Sequence, residues 1–129
     1  MSELSIYFNM NQPFDNVATE LGKVFCVDLV VEPTENFGPK CQFYCLDVEF
    51  YFRGNSGEEY DTRLGLPELD YCVDLVKLNR GGYSEEYNNM YTSIAKHYTK
   101  KIAEVLCVEC FLIEDCQDIV MQVNGQKAS

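Results

Sequence analysis

Residues 41–53, CQFYCLDVEFYFR, form the stretch that decides the fold, because apolar and polar side chains alternate along most of it. One set of alternate positions is wholly apolar and the other is mostly polar: Leu46, Val48, Phe50 and Phe52 against Cys45, Asp47, Glu49 and Tyr51. Successive side chains of a strand point to opposite faces of its sheet. The stretch therefore predicts one strand with a buried face and an open face.

Outward from this stretch, the same alternation predicts further strands, and a period near 3.6 predicts two helices. The strands are expected at residues 2–9, 27–31, 69–78, 107–113 and 118–123. The first helix is expected to begin at Asn11 or Gln12 before Pro13 and to run to Phe25. The second is expected to begin after Ser84, a good capping residue, and to end near residue 105.

The resulting element order is β-α-β-β-β-α-β-β. Short connections favour an antiparallel or mixed sheet of about five to six strands, and each amphipathic helix has one apolar stripe to bury. We therefore expect an α+β fold with both helices on one face of the sheet and the other face open. Residues 1–125 are expected to form a single domain, followed by a short polar tail at 126–129.

Composition limits the possible partners. The chain has 129 residues, with ten basic and 21 acidic side chains and a formal charge of −11. Eight Phe and nine Tyr residues can build a core, which excludes a disordered acidic tail. The negative charge disfavours binding to nucleic acid or to an anionic membrane and favours a basic protein partner. The alternative is that the acidity serves only solubility.

The start of the chain and its cysteines favour a cytoplasmic protein. The first residues lack the basic start and apolar stretch of a secretory signal, and no apolar run approaches the ~20 residues that span a bilayer. The chain has 7 cysteines, an odd number, and several lie in apolar runs. We therefore expect reduced and mostly buried thiols.

Cysteine spacing gives a weak indication of a metal knuckle or a redox pair, at Cys107-x-x-Cys110 with Cys116 close behind. Residues three apart in a strand face opposite sides of the sheet, which separates the first two thiols. We therefore expect core or surface thiols here, and neither a metal nor a cofactor.

Catalytic patterns are weak throughout. His97 is the only histidine, and no cysteine is indicated within its reach. Asp47 and Glu49 are two carboxylates on one predicted strand face, a pattern that is typical of a solvated surface. The turn at residues 54–57 lacks the lysine of a phosphate-binding loop. We expect no catalytic residues and no enzyme activity, with an enzyme of an unrecognised class left open.

The open face of the predicted sheet is the candidate binding surface. It combines carboxylates with tyrosines, which give a large contact area at low entropic cost. Its expected members are Tyr7, Asp47, Glu49, Tyr51, Asp70, Asp74, Glu109 and Asp118. The expected partner contacts are Tyr7, Asp47, Glu49, Tyr51, Asp70 and Asp74. A slip of one residue would reverse any of these strands.

In size, acidity, lack of a signal sequence and lack of a catalytic motif, the chain resembles the small immunity proteins of bacterial polymorphic-toxin and contact-dependent growth inhibition systems. The resemblance implies an inhibitor that binds one cognate toxin, frequently a nuclease. The toxin would be basic, and the inhibitor would cover its substrate cleft or an adjacent surface. Monomer and dimer are both left open.

The main alternative is a chaperone of the type III secretion kind, because those proteins are also small, acidic and α+β. They are usually homodimers that wrap an unfolded segment of an effector. This chain departs from their pattern, since it is expected to begin with a strand and to end with a hairpin. Another interaction module, including a nucleic-acid mimic with many partners, is a further alternative.

Overall fold

The computed structural model describes residues 3–33, 39–54, 69–78, 84–115 and 117–125. This part of the chain holds six strands and two helices: β1 (Leu4–Phe8), α1 (Phe14–Phe25), β2 (Lys40–Cys45), β3 (Val48–Gly54), β4 (Tyr71–Lys77), α2 (Glu85–Leu106), β5 (Glu109–Glu114) and β6 (Asp118–Asn124). The α+β class and the order β-α-β-β-β-α-β-β are confirmed. The predicted tail at 126–129 and Cys116 lie outside the described residues.

The first strand of the chain lies in the interior of the sheet. The strand order is β2-β3-β4-β1-β5-β6, and all neighbouring strands are antiparallel. Ile6 pairs with Val73 of β4 on one side and with Leu112 of β5 on the other. Because its residues 6–8 are fully buried, β1 joins the two halves of the sheet through the core.

Both helices pack on one face of the sheet, as predicted. Helix α1 buries Val17, Leu21 and Phe25 against it, and the ring of Phe14 stacks on Phe52 at 4.5 Å between centroids. Ser84 caps α2, since its side chain accepts a hydrogen bond of 3.0 Å from the Tyr87 N–H. Within the described part of the chain, no helix combines the length and the hydrophobicity that crossing a membrane requires.

A buried tyrosine hydroxyl ties α2 to the centre of the sheet. The Tyr91 hydroxyl donates to the Leu75 carbonyl of β4 at 2.5 Å and accepts from the Leu4 N–H of β1 at 2.7 Å. Burial raises the pKa of this hydroxyl above its usual value, so it stays protonated and able to donate at neutral pH. The contact fixes the N-terminal half of α2 over the β1–β4 junction.

The prediction of one strand over residues 41–53 is wrong, because the stretch is a hairpin. Leu46 and Asp47 have φ values of 52° and 63°, and Cys45 pairs directly with Val48. A two-residue connection with positive φ at both positions is a type I′ turn. The apolar positions change phase by one residue at the turn, from Cys41 and Phe43 to Val48, Phe50 and Phe52. The prediction followed only the phase of residues 45–52 and so missed the turn. Leu46 lies in the turn, where 62% of its surface is exposed.

The predicted strand at 27–31 is also absent. Cys26 ends α1 in the left-handed conformation, with φ 58°, and the chain then runs without strand pairing until Glu32 bridges Lys40 of β2. The apolar alternation arises because Leu29 and Val31 pack on the core, whereas Val30 is 71% exposed. The number of strands still equals the predicted number, because the hairpin supplies two strands where one was predicted.

Removing the Tyr91 hydroxyl tests the link between α2 and the sheet. Tyr91→Phe leaves the Leu4 N–H and the Leu75 carbonyl without this partner, and we expect it to lower the free energy of unfolding by about 1–3 kcal/mol. Tyr98→Phe is the matched control on the same helix, with an expected change below about 0.5 kcal/mol. Urea unfolding measures both variants, and equal effects would contradict the assigned role of Tyr91.

The type I′ turn yields a second prediction. Leucine adopts positive φ reluctantly, whereas asparagine tolerates it. We expect Leu46→Asn to raise the free energy of unfolding by about 0.5–1 kcal/mol, and the melting temperature by a few degrees. Val30→Asn is the control, since Val30 is also well exposed, at 71%, but does not have positive φ. Thermal unfolding measures both, and a lower melting temperature for Leu46→Asn would refute the turn assignment.

Candidate functional site

The face of the sheet opposite the helices is buried at its centre and exposed on both sides, along β2 and β3 and along the outer strand β6. On β1, β4 and β5 it carries a second apolar cluster, in which Tyr7 and Cys72 have no exposed surface and Leu69, Phe111 and Ile113 are buried with them. The expectation that Tyr7 is exposed is therefore wrong. Because a folded partner contacts only the surface, Tyr7 is not available to it.

The side of this face on β2, β3 and the outer edge of β4 is polar and partly exposed. Its centre is Asp74, whose carboxylate accepts hydrogen bonds from the Ser5 hydroxyl at 2.7 Å and from Arg53 Nε at 2.7 Å. The Cys72 thiol lies 3.3 Å from the same carboxylate. Asp74 is thus held by three neighbours within the fold and is placed mainly to organise this face.

Glu49 and Tyr51 flank Asp74 on the same face, as predicted. Glu49 accepts a hydrogen bond of 2.9 Å from Gln42, and the Lys40 ammonium lies 5.4 Å from the centre of the Tyr51 ring. The expected array of carboxylates is therefore wrong for this face, because Arg53 and Lys40 stand among them. The sequence pattern assigned acidic and tyrosine residues to the open face of the sheet, but it did not place Lys40 and Arg53 there.

The remaining predicted contacts lie away from this face. Asp47 occupies the hairpin turn, and its carbonyl accepts hydrogen bonds from the Tyr87 hydroxyl at 2.7 Å and from the Leu78 N–H at 3.1 Å. Asp70 precedes β4 at the opposite end of the sheet and is exposed. Of the six expected contacts, only Glu49, Tyr51 and Asp74 come together.

A denser group of carboxylates lies at one end of the sheet, where β1 and β6 begin and β4 and β5 end. The β2–β3 turn is at this end, and so is the start of α2, because Tyr87 bonds to the turn and the Lys77 ammonium bonds to Asn88 at 3.1 Å. We call this group the acidic edge; it consists of Glu3, Asp47, Glu85, Glu86, Glu114, Asp115 and Asp118.

The acidic edge has a large charge imbalance. Among the described residues at this end of the sheet, its seven carboxylates face one cation, Lys77. The ion pairs Lys23–Glu20, Lys40–Glu32 and Arg53–Asp74 lie elsewhere. Sequence reasoning placed Asp47 and Asp118 on the open face and did not find the edge. Its members are distant in sequence, and only the pairing of β1 with β4 and β5 brings them together.

An apolar groove opens beside the acidic edge, between α2, the end of α1 and the β2–β3 hairpin. Its volume is about 370 Å³, and its main lining residues are Phe25, Phe43, Leu46, Phe50, Ile94 and Tyr98. A larger depression of about 510 Å³ lies along the end of α1. Among the described residues, none that lines this depression is aromatic. The groove is therefore the better candidate for binding an apolar group.

The described cysteines divide evenly, with Cys26, Cys45 and Cys107 exposed and Cys41, Cys72 and Cys110 buried, so the expectation of mostly buried thiols holds for only half of them. Cys107 ends α2 in the left-handed conformation and is exposed, whereas Cys110 is buried in the core. Burial, with a smaller contribution from Glu109, raises the pKa of the Cys110 thiol to about 12. In the described ranges, no three His, Cys, Asp or Glu side chains converge to hold a metal ion. His97 is exposed, and its ring lies 4.9 Å from the Tyr98 ring.

Two alanine variants separate a structural carboxylate from a surface one. Asp74→Ala leaves Ser5 and Arg53 without their acceptor, and we expect it to lower the free energy of unfolding by about 1–3 kcal/mol. Glu49→Ala on the same face removes a half-buried surface contact, with an expected loss below about 1 kcal/mol. Urea unfolding measures both, and an equal or larger loss for Glu49→Ala would show that Asp74 does not organise this face.

Comparisons with protein-family models, with curated proteins and with solved structures found no match for this chain. Function is therefore inferred from the chemistry of its own surfaces.

Proposed function

We propose that the chain is an inhibitor that binds a basic protein toxin, in the manner of the bacterial immunity proteins that it resembles in size and charge. It acts in the cytoplasm, without catalysis of its own, by covering the substrate cleft of the toxin or a surface beside it. The observation that carries the proposal is the acidic edge, where seven carboxylates face one ammonium group among the described residues.

The concentration of the carboxylates favours binding over mere solubility. Charges that serve solubility work best when they are spread over the surface with both signs mixed. Carboxylates gathered at one end repel one another and lower stability, so their grouping has a cost that solubility does not explain. Glu85 and Glu86 are stabilised by the positive end of the α2 dipole, and Asp115 accepts a hydrogen bond of 2.8 Å from the Glu3 N–H. Glu114 and Asp118 flank the β5–β6 turn without a helix dipole to stabilise them.

The same geometry explains how inhibition would follow from binding. A toxin that acts on RNA or DNA binds phosphates through lysine and arginine side chains. Carboxylates gathered along one edge would take the place of those phosphates and exclude the nucleic acid. Attraction between opposite potentials also raises the association rate, which helps an inhibitor that must act before the toxin does.

Affinity capture tests the proposal directly. The tagged protein is expressed together with the products of its neighbouring genes, captured, and washed at low and then at high salt. We expect one basic protein to remain, and we expect that protein to be toxic when it is expressed alone. An unfolded effector segment on a dimer would support the secretion chaperone instead. Recovery of no partner at either salt would refute the proposal.

Neutralising the edge yields a quantitative prediction. We expect the triple variant Glu85→Gln, Glu86→Gln, Asp118→Asn to slow association with the captured partner by roughly tenfold at low salt, with a smaller effect at high salt. The control variant Asp28→Asn, Glu32→Gln, Glu104→Gln removes the same charge from exposed positions elsewhere. Surface plasmon resonance measures both, and equal slowing would show that only net charge matters.

A further inference from the structure

The walls of the apolar groove are built from packed aromatic rings. Phe43 stacks on Phe50 at 4.7 Å between centroids, and Phe25 packs on Tyr98 at 4.9 Å. Phe50 also meets Tyr98 edge-on at 5.9 Å. These rings belong to α1, to α2 and to both strands of the hairpin, so the groove is held open by the core itself. Its volume of about 370 Å³ is that of a pocket for a small apolar group.

Leu46 at the mouth of the groove is an independent indication of binding. It is a leucine with φ 52° and 62% exposure, in a turn position that favours asparagine or glycine. Neither burial nor backbone preference explains a leucine there. A sparsely populated backbone conformation that displays an apolar side chain at the mouth of a cavity points to a role outside the fold.

We propose that the groove receives a large apolar or aromatic side chain from a basic segment of the partner. This inference rests on the proposed function and names the chemistry of the contact. Leu46 lines the groove and is followed directly by Asp47 of the acidic edge. A side chain seated in the groove therefore brings flanking lysines or arginines close to Asp47, at the side of the groove that adjoins the acidic edge.

Charge selects this occupant over the alternatives. A second copy of the chain also carries −11 and would bring like charges together at this end. A neutral apolar molecule would gain nothing from the neighbouring carboxylates. An aromatic anchor in a dry pocket, with charged groups around its rim, is the usual arrangement of an energetic centre in a protein interface.

The chain contains no tryptophan, so the fluorescence of a tryptophan peptide reports on the peptide alone. The probes are acetyl-Lys-Lys-Trp-Lys-Lys-amide and acetyl-Glu-Glu-Trp-Glu-Glu-amide, titrated with the full chain at low salt. We expect the lysine peptide to bind with a blue shift of its emission, which indicates an apolar environment. We expect the glutamate peptide to show no shift.

Variants locate the binding site of the lysine peptide. Leu46→Asn suits the backbone of the turn, so it removes the apolar side chain without unfolding the protein, and we expect it to weaken binding at least about fivefold and to reduce the blue shift. Ile94→Ala, in the opposite wall of the groove, should act in the same direction. Val105→Asn is the control, because Val105 is exposed on α2 away from the groove.

The outcomes separate this inference from the proposed function. Salt-dependent binding of the lysine peptide without a blue shift would overturn the groove assignment and leave the acidic edge as a site for basic partners. A blue shift that Leu46→Asn and Ile94→Ala leave unchanged would also overturn it. No binding of the lysine peptide at low salt would count against both proposals.

Discussion

The buried hydroxyl of Tyr91 is the contact on which the arrangement of the surface depends. It bonds to β1 and β4 at once, and so holds the start of α2 above the end of the sheet where β1 begins. Together with the hydrogen bonds of Tyr87 to Asp47 and of Lys77 to Asn88, this anchor places Glu85 and Glu86 at the end of the sheet that holds the β2–β3 turn. A polar contact in the core thereby helps to determine where the charges at the surface meet.

The two faces of the sheet have different roles in the fold. One face and the helices form the main core, while the other includes a second apolar cluster around Tyr7 and a polar side organised by Asp74. Two exposed features lie together at one end of the sheet: the acidic edge, and Leu46 at the mouth of the aromatic groove. A basic partner with an apolar anchor would engage both together.

Local patterns predicted much of the fold but little of the site. Pro13 and Ser84 marked the starts of both helices, and the alternation around β4 assigned Val73 and Leu75 to the core correctly. The hairpin within residues 41–53 was missed because the prediction followed the alternation of residues 45–52, although the apolar positions change phase by one residue between Phe43 and Val48. The acidic edge was missed for a different reason. It depends on the pairing of β1 with β4 and β5, and no local pattern encodes strand order.

Carboxylate footprinting of the purified complex is the most direct test of the central claim. The protein is labelled with carbodiimide and glycine ethyl ester, alone and with its captured partner, and the modified sites are read by mass spectrometry. We expect Glu85, Glu86, Glu114 and Asp118 to lose reactivity in the complex, while Asp15, Asp28 and Glu104 react as before. Protection of the second group with continued labelling of the first would contradict the central claim.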